Sequence, residues 1–241
     1  MKKVFVTGAD GMLGSMICRV LLQQNYAVTA LRLPNSRSNT LDGLELELVD
    51  GDVLDREFIF NQIKDKDAVI HVAAMTNVWP RRIEKVKEVN IQGSKNIKDA
   101  VQEFGLERMV FIGSASSFKE GPKENPGNEK SAFEGDRFGM DYIDSKFQAQ
   151  EFLLQAHRNE QFPVIVVNPT FMIGPYDSGP SSGIMVLNLY KDKVPGYNTG
   201  GKNFVYSGDV ARAAVNALSM GRLGECYIAG NQNLEYREFF E

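Results

Sequence analysis

The stretch Lys3-Val4-Phe5-Val6-Thr7-Gly8-Ala9-Asp10-Gly11-Met12-Leu13-Gly14 decides the fold of this chain. A short apolar run leads directly into three glycines, and a run with helical spacing follows them. In a strand–turn–helix unit, one glycine permits the tight turn, one lets a ligand approach the backbone and one lets helix and strand pack closely. The unpaired N–H groups at the helix N-terminus suit a pyrophosphate. The stretch therefore predicts a dinucleotide-binding turn, and the alternative is a glycine-rich turn that binds no ligand. The predicted contacts are Gly8, Gly11, Met12, Leu13 and Gly14.

Strand-like and helix-like segments alternate along the rest of the chain. Because each crossover helix returns the chain to the same edge of a sheet, this alternation predicts parallel pairing. Right-handed crossovers then give an α/β, doubly wound parallel sheet, the Rossmann fold. The predicted strands are Val4–Thr7, Tyr26–Leu33, Leu44–Val49, Ala68–Ala73, Met109–Ile112 and Pro163–Asn168, and the predicted helices are Met12–Leu22, Glu57–Lys64, Ile83–Phe104 and Asp136–His157.

The composition changes after the last predicted strand. Gly and Pro become more frequent from Pro169 onward, as in Gly174-Pro175 and Pro195-Gly196. We expect residues 1–168 to form a dinucleotide-binding core. Residues 169–241 are expected to mix substrate-binding segments with late strands and a helix that return to the core. Leu234–Glu241 begins a helical pattern without a stop signal, which predicts that the natural protein continues and that its small substrate region is C-terminally incomplete here.

The composition excludes several function classes. The chain has 241 residues, 43% of them hydrophobic, and a net charge of −4, which is ordinary for one soluble globular domain and does not favour nucleic-acid binding. No apolar run is long enough for a membrane helix, and the first strand leaves no room for a secretion signal. Cys18 and Cys226 lack metal-like spacing, so we expect buried thiols in a reducing cytoplasm and no metal site.

The end of the second predicted strand bears on the choice of cofactor. An acidic residue there would bond the ribose 2′-OH and favour NAD. The chain instead carries Arg32, followed by Arg37, and has no Asp or Glu before Asp42. A guanidinium suits a 2′-phosphate through paired charged hydrogen bonds. The sequence therefore favours NADP, and NAD remains possible if Arg32 only stacks on the adenine.

Two more strand ends are predicted to line the same site. Asp52, next to Val53, could accept a hydrogen bond from the adenine amino group, or it could begin the helix that follows. Ala73 and Ala74 are small enough to leave room for the ribose and the pyrophosphate. His71, just before them, is predicted to be a packed core histidine rather than a catalyst.

A tyrosine and a lysine are predicted to form a proton-transfer site. Tyr142 and Lys146 are four residues apart and share one face of a helix. A phenol has a pKa of about 10, and a neighbouring ammonium together with an oxidised nicotinamide should lower it. Ser114, directly after the fifth strand, is the preferred third donor, with Ser116 second. Asn90 could bond backbone near the Lys146 ammonium or be a plain surface residue.

These motifs together resemble the extended short-chain dehydrogenase/reductases, the NAD(P)-dependent epimerase/dehydratase group, and most closely its dihydroflavonol reductase-like members. The resemblance implies a catalytic triad of Ser114, Tyr142 and Lys146, and a contact between Arg32 and the NADP phosphate. It also implies that Asn168-Pro169 helps to position the nicotinamide, and that the two long helices could pair in a homodimer. The motifs that carry it are TGADGMLG (7–14), GDV (51–53), HVAA (71–74), YIDSK (142–146) and NPTFMIGP (168–175).

The resemblance predicts an NADP-dependent oxidoreductase that interconverts a carbonyl and an alcohol in a small molecule. Ala115-Ser116-Ser117 stands where the group's 4,6-dehydratases carry acidic residues, which argues against dehydration. Val205–Val210 keeps the family's Asp-Val but replaces its usual His and first Asp. Two alternatives stay open: an epimerase acting on a nucleotide sugar with tightly bound NAD(P), and a non-catalytic dinucleotide-binding module.

Overall fold

The computed structural model describes residues 2–36, 38–194 and 196–241. Arg37 and Pro195, which the sequence analysis names, lie outside the described residues. The strands are β1 Lys3–Thr7, β2 Ala27–Arg32, β3 Glu47–Asp50, β4 Ala68–His71, β5 Arg108–Ile112, β6 Val164–Pro169, β7 Phe171–Ile173, β8 Gly201–Tyr206, β9 Cys226–Ala229 and β10 Gln232–Glu235. The helices are α1 Met12–Gln23, α2 Arg56–Ile63, α3 Glu84–Lys87, α4 Gly93–Glu103, α5 Asp141–Glu160, α6 Gly183–Tyr190, α7 Ser207–Met220 and α8 Tyr236–Phe240.

The main sheet confirms the predicted doubly wound fold. Seven parallel strands lie in the order β3-β2-β1-β4-β5-β6-β9. The strand order reverses between β1 and β4, and in open α/β sheets this switch point opens a crevice at the carboxyl ends of the strands. A smaller sheet in the order β10-β8-β7 lies in the last third of the chain. None of the helices in the described ranges is long and apolar enough to cross a bilayer.

Apolar strands bury both faces of the main sheet. Successive residues of a strand point to opposite faces, so an uninterrupted apolar run serves two cores. In β1, Val4 and Val6 pack into one core with α1 and α7, while Phe5 packs into the other with α2, α4 and α5. In β6, Ile165 and Val167 join the first core and Val164 and Val166 the second. The sheet is therefore a rigid base for the residues at its carboxyl edge.

Three predicted elements differ from the structure. The helix predicted over Ile83–Phe104 is continuous but contains a π-helical turn at Glu88–Gln92 between α3 and α4. The helix predicted over Asp136–His157 starts only at Asp141, because Gly139 adopts a left-handed backbone (φ +58°) and separates it from a 3-10 turn. The helix predicted over Leu234–Glu241 begins as β10, because these residues pair antiparallel with β8, a distant partner that local spacing does not reveal.

The two cysteines are free thiols, and the predicted burial is confirmed for Cys18 but only partly for Cys226. Cys18 is buried in the core and Cys226 is half-buried on β9. Burial raises the pKa of both thiols to about 12. Because the thiolate is the reactive form, both side chains are chemically inert at neutral pH.

Candidate active site

A cavity of about 500 Å³ opens at the carboxyl edge of the main sheet, beside the switch point. Its volume is typical of a ligand site. The fold brings the predicted catalytic triad and the predicted cofactor contacts to this one cavity. Its walls include Gly8, Gly11, Met12, Leu13, Gly14, Arg32, Asp52, Val53, Ala73, Ala74, Ser114, Tyr142, Lys146 and Pro169.

The three glycines of the first turn meet different steric demands. Gly8 has a left-handed backbone (φ +60°), and a Cβ there would lie 2.8 Å from the main chain of Ala73. A Cβ on Gly14 would overlap the carbonyl oxygen of Gly8. Gly11 has an extended backbone (φ −78°, ψ 169°), and a Cβ there would meet only the Gly8 oxygen, at 3.5 Å. Gly8 and Gly14 are therefore required by packing, whereas Gly11 presents bare backbone to the cavity.

The first turn of α1 carries no carboxylate that would compete with an anionic ligand. Among the described residues, no side chain caps this helix at its N-terminus. The first N–H groups and the positive end of the helix dipole therefore remain available to a negatively charged ligand. A backbone cradle that side chains would fill, next to an uncapped helix N-terminus, fits the diphosphate of a dinucleotide cofactor.

Thr7 fastens the glycine turn to β4, a role that the sequence analysis missed. Its hydroxyl oxygen accepts hydrogen bonds from the main-chain N–H groups of Val72 and Ala73, both at 3.1 Å. The same hydroxyl lies 2.7 Å from Nδ1 of His71. The signal available in the sequence was a threonine at the end of an apolar run, directly before the first glycine.

His71 is confirmed as a packed core residue. It is 1% exposed, and its ring nitrogens lie 2.7 Å from the Thr7 hydroxyl and 3.1 Å from the Ser94 hydroxyl. Burial, with a smaller contribution from Lys146, lowers its pKa to about 3. The imidazole is therefore neutral at physiological pH and is fully engaged with its neighbours.

The part of the cavity at the end of β2 contains a charge pair that was not predicted from the sequence. Nε of Arg32 lies 2.7 Å from the carboxylate of Asp50, its register neighbour on β3. The hydrogen bond from Arg32 holds the pKa of Asp50 below its usual range. Asp52 accepts a hydrogen bond from the N–H of Leu54 at 2.9 Å, whereas Asp55 caps α2. The alternative helix-start role therefore belongs to Asp55.

The predicted proton-transfer residues lie together in the cavity wall, where α5 packs beside the end of β5. Tyr142 and Lys146 share one face of α5, and Ser114 follows β5. The Nζ of Lys146 donates to the main-chain carbonyl of Ile112 at 2.5 Å. The hydroxyls of Ser114 and Ser116 are 2.7 Å apart, and either can be the donor.

Burial dominates the protonation of this group. Burial lowers the pKa of Lys146 to about 7. It raises the pKa of Tyr142, and the hydrogen bond with Ser114 acts in the opposite direction. Lys146 is not among the groups that shift the pKa of Tyr142 here, because its Nζ is directed to the Ile112 carbonyl and is itself desolvated. A lowered pKa of Tyr142 beside an oxidised nicotinamide stays a prediction.

Asn90 is buried in the π-helical turn, so the surface alternative is wrong. Its Oδ1 accepts from the N–H of Met75 at 2.8 Å, and its Nδ2 donates to the Met75 carbonyl at 3.0 Å. The same amide nitrogen donates to the hydroxyl of Ser145 at 2.9 Å. Asn90 thus bonds backbone, as the other alternative predicted, and it ties the loop after β4 to α5.

Asp141 anchors the start of α5, directly before Tyr142. It is 2% exposed, and its carboxylate accepts from Arg82 and from the N–H of Ile83, both at 2.7 Å, with Lys87 at 3.3 Å. Burial by itself would raise the pKa of this carboxyl, but the bonds from Arg82 and Ile83 hold it below its usual value. This anchor was not predicted from the sequence, although an acidic residue in a first helical turn was a signal.

The segment after β7 forms a further wall that sequence reasoning did not assign residue by residue. Asp177 accepts hydrogen bonds from the N–H groups of Ser181 and Gly183, which folds the segment over the cavity. Its serine and glycine content was the available signal. Residues of the wall missed by the prediction include Met75, Thr76, Lys85, Val89, Thr170, Met172, Asp177, Ser178, Gly179 and Ser181.

The fold and the site together define a class of protein, the dinucleotide-dependent enzymes of the extended short-chain dehydrogenase/reductase type. Within that class, the chain belongs to the NAD dependent epimerase/dehydratase family, whose family model matches residues 4–230.

Relatives that are named for different reactions are similar to this chain in sequence. A putative dihydroflavonol 4-reductase of Synechocystis sp. is 30% identical over 235 residues, which cover 95% of this chain and 68% of that protein. A putative UDP-glucose 4-epimerase of Methanocaldococcus jannaschii is 26% identical over 229 residues, which cover 90% of this chain and 73% of that protein. These likenesses support general NAD(P)-dependent oxidoreductase or epimerase chemistry and do not select one reaction.

Solved structures share the fold over the whole chain. The crystal structure of gox2253 superimposes with a TM-score of 0.93 and 30% identity, covering 100% of this chain and 73% of that one. The dTDP-glucose 4,6-dehydratase of Bacillus anthracis str. Ames, solved in complex with NAD, has a TM-score of 0.86 and 21% identity, covering 100% of this chain and 79% of that one. The second likeness concerns the fold alone.

Proposed function

We propose that this chain is an NADP-dependent oxidoreductase that interconverts a carbonyl and an alcohol in a small molecule. The observation that carries the proposal is the meeting of Ser114, Tyr142 and Lys146 in the same cavity as the glycine turn. We assign cofactor binding to residues 1–168 and substrate-binding segments to residues 169–241.

Each residue of the site has a distinct chemical task. A nicotinamide held by these residues would supply the hydride for reduction of the carbonyl carbon and would accept it in oxidation of the alcohol. Tyr142 gives its phenolic proton to the substrate oxygen, and Ser114 donates a hydrogen bond to that oxygen. Lys146, whose pKa burial lowers to about 7, holds the cofactor ribose and in its protonated form assists ionisation of the phenol. Pro169, at the end of β6 in the cavity wall, would help to position the nicotinamide.

Arg32 supports NADP rather than NAD. Asp50 engages Nε of this guanidinium, so the two terminal nitrogens can meet a 2′-phosphate. We expect NADP to bind more tightly than NAD, and Arg32→Leu to remove that preference without abolishing NAD binding. Calorimetric titration of both cofactors into both proteins tests this assignment, and tighter binding of NAD by the wild type overturns it.

Loss of the phenolic hydroxyl tests the reaction itself. Wild type, Tyr142→Phe and Tyr190→Phe are compared on a panel of carbonyl compounds by following NADPH consumption. Removal of a general acid should lower kcat by about 10²–10⁴-fold with little change in NADP affinity. Tyr190 is 85% exposed and serves as the matched control. A Tyr142→Phe protein with normal turnover rules out the mechanism.

Epimerisation of a nucleotide sugar is the second candidate, because a relative that is 26% identical is named a putative UDP-glucose 4-epimerase. An epimerase uses the same three residues but oxidises and then reduces one carbon, with no net consumption of cofactor. Cofactor that co-purifies and resists dialysis, together with interconversion of sugar nucleotides, would favour it. NADP binding without turnover on any carbonyl or sugar would instead indicate a non-catalytic binding module.

We place this activity in the cytoplasm. We also propose that the protein acts as a homodimer in which α4 and α5 pair with a second copy. Light scattering coupled to gel filtration tests the dimer, and a single species at the mass of one chain contradicts it.

A further inference from the structure

The strands β5 and β6 separate at the point where the cavity opens. The N–H of Gly113 donates to the main-chain carbonyl of Val167 at 2.8 Å. One residue further along both strands, the N–H of Ser114 donates to the side-chain Oδ1 of Asn168, also at 2.8 Å. The backbone of Ser114 is therefore held by a side chain rather than by the main chain of the sheet.

Gly113 makes this contact possible. Asn168 is 0% exposed, so its side chain has no freedom to withdraw into solvent. A Cβ on Gly113 would overlap the Oδ1 of Asn168 and would lie 3.2 Å from Oε1 of Gln150. Both amide side chains thus converge on the space that the missing side chain of Gly113 leaves.

A second buried amide, that of Gln150, lies beside the same space next to Gly113. This glutamine lies one turn beyond Lys146 on the same face of α5. Among the described residues, Oε1 of Gln150 and Nδ2 of Asn168 are buried without a hydrogen-bond partner. The two amide atoms that lie beside Gly113, Oε1 of Gln150 and Oδ1 of Asn168, are both acceptors. Of these two, Oδ1 of Asn168 has a donor, the N–H of Ser114.

We propose that Asn168 is a positioning residue, which holds the hydroxyl of Ser114 against Tyr142 by fixing the Ser114 backbone. The inference rests on the proposed function, because it assigns Ser114 and Tyr142 to the reaction. It adds a requirement for the pair Gly113 and Asn168. Any change that breaks their contact should release Ser114 while leaving the glycine turn of the cofactor site intact.

Amide exchange measures the hold on Ser114 without any substrate. The whole chain is labelled with ¹⁵N, and hydrogen exchange of the Ser114 amide is followed in wild type, Asn168→Leu and Asn168→Asp. Asn168→Leu keeps the size but removes the acceptor, so exchange should become about tenfold faster, the factor for the loss of one net hydrogen bond. Asn168→Asp retains an oxygen and should keep the wild-type protection.

The ionisation of Tyr142 provides a readout that a purely structural role would not move. Ring-labelled tyrosine is titrated by NMR, and Tyr142→Phe assigns the signal. Since the Ser114 hydrogen bond lowers the pKa of Tyr142, Asn168→Leu should raise that pKa, as Ser114→Ala should. The double variant should shift it no further than Ser114→Ala does. The charged groups around Tyr142, namely Lys146 and the Asp141–Arg82 pair, are unchanged in all these proteins.

A second substitution, at Gly113 after β5, disturbs the same contact between Asn168 and Ser114. Gly113→Ala should displace the Asn168 side chain and accelerate exchange of the Ser114 amide as Asn168→Leu does. Gly196→Ala is the control, because a Cβ there meets nothing within 4 Å among the described residues. Thr29→Val removes a part-buried hydrogen bond in the middle of β2 and controls for general loss of stability.

Unchanged amide exchange and an unchanged Tyr142 pKa in both Asn168→Leu and Gly113→Ala would overturn the inference. It also fails if Asn168→Asp loses protection as fully as Asn168→Leu, because the acceptor oxygen would then be irrelevant. Normal turnover by Tyr142→Phe would defeat the proposed function and leave the exchange result standing, so the two failures can be told apart.

Discussion

Substitution of two glycines in the first turn should separate packing from ligand contact. Gly14 is the third residue of α1, and Gly11 is the residue that precedes the helix. An added methyl group at Gly14 has no space, because the Gly8 oxygen and the Ala9 Cα, at 2.8 Å, already occupy it. An added methyl group at Gly11 meets only the Gly8 oxygen at ordinary contact distance and otherwise projects from a wall of the cavity.

The structure sets the expected size of each effect. Gly→Ala inside a helix gains about 1 kcal/mol in the absence of strain. Overpacking costs about 1–3 kcal/mol, and a collision with main chain belongs at the upper end. Gly14→Ala should therefore lower the free energy of unfolding by about 2 kcal/mol, which corresponds to about 4–8 °C in Tm for a chain of this length. Gly11→Ala should cost less than about 1 kcal/mol, the difference between glycine and alanine as a helix cap.

Affinity for the cofactor should respond in the opposite order. The methyl group at Gly11 would keep the diphosphate away from the helix N-terminus, and we expect the Kd for NADP to rise at least about tenfold, or about 1.4 kcal/mol. Urea denaturation without cofactor and calorimetric titration of NADP measure the two quantities separately. The reasoning is refuted if Gly11→Ala binds NADP as wild type does, or if it loses as much stability as Gly14→Ala.

Three further substitutions test the electrostatics of the buried site, and a fourth, at an exposed carboxylate, is the control. Because the pKa of His71 is lowered to about 3, the unfolded chain binds more protons than the folded chain below about pH 6.5, and stability falls as the pH falls through that range. Between about pH 8 and pH 5, wild type should lose about 2 kcal/mol more than His71→Gln in urea denaturation, and parallel curves would contradict this. Because the pKa of Lys146 is lowered to about 7, stability should rise with pH from about 7 toward 10.5 in wild type, and Lys146→Met should lack about 2 kcal/mol of that rise by about pH 9. Asp141→Asn should cost about 2 kcal/mol, a figure below the usual range for a broken buried pair because Arg82 is 60% exposed. Because the pKa of Asp141 is lowered in the folded chain, its carboxylate contributes its full stabilisation above the unfolded pKa. This stabilisation should be lost as the pH falls through the folded pKa. Glu84→Gln, at a carboxylate 89% exposed, should change stability by less than about 0.5 kcal/mol.

Local patterns were sufficient for most elements of the main sheet. The alternation of short apolar runs with helical spacing predicted β1, β2, β4, β5 and β6 to within two residues at each end. The helix predicted from residue 234 is present as α8, but it begins only at Tyr236. Residues 234 and 235 belong to β10 because this strand pairs with β8, and such pairing depends on partners far away in the chain.

Where the sequence left two roles open for one residue, the tertiary structure was needed to decide between them. Asp52 and Asp55 both precede α2, and only the backbone shows that Asp55 makes the cap. The apolar residues around Asn90 do not define which face of the helix is buried. The amide of Asn90 is buried because α5 packs against it. The spacing of side chains along a helix predicts which of them share a face, but it does not say what covers that face.

The sequence by itself determined the class of sheet, the glycine turn and the four-residue spacing of Tyr142 and Lys146. These features follow from strand and helix geometry, which depends on neighbours a few residues apart. Only the tertiary structure decided that Asp50 engages Arg32 and that Asn168 holds Ser114, 54 residues away. Such contacts arise from the register of paired strands and from side-chain packing, which bring together residues that no local pattern connects.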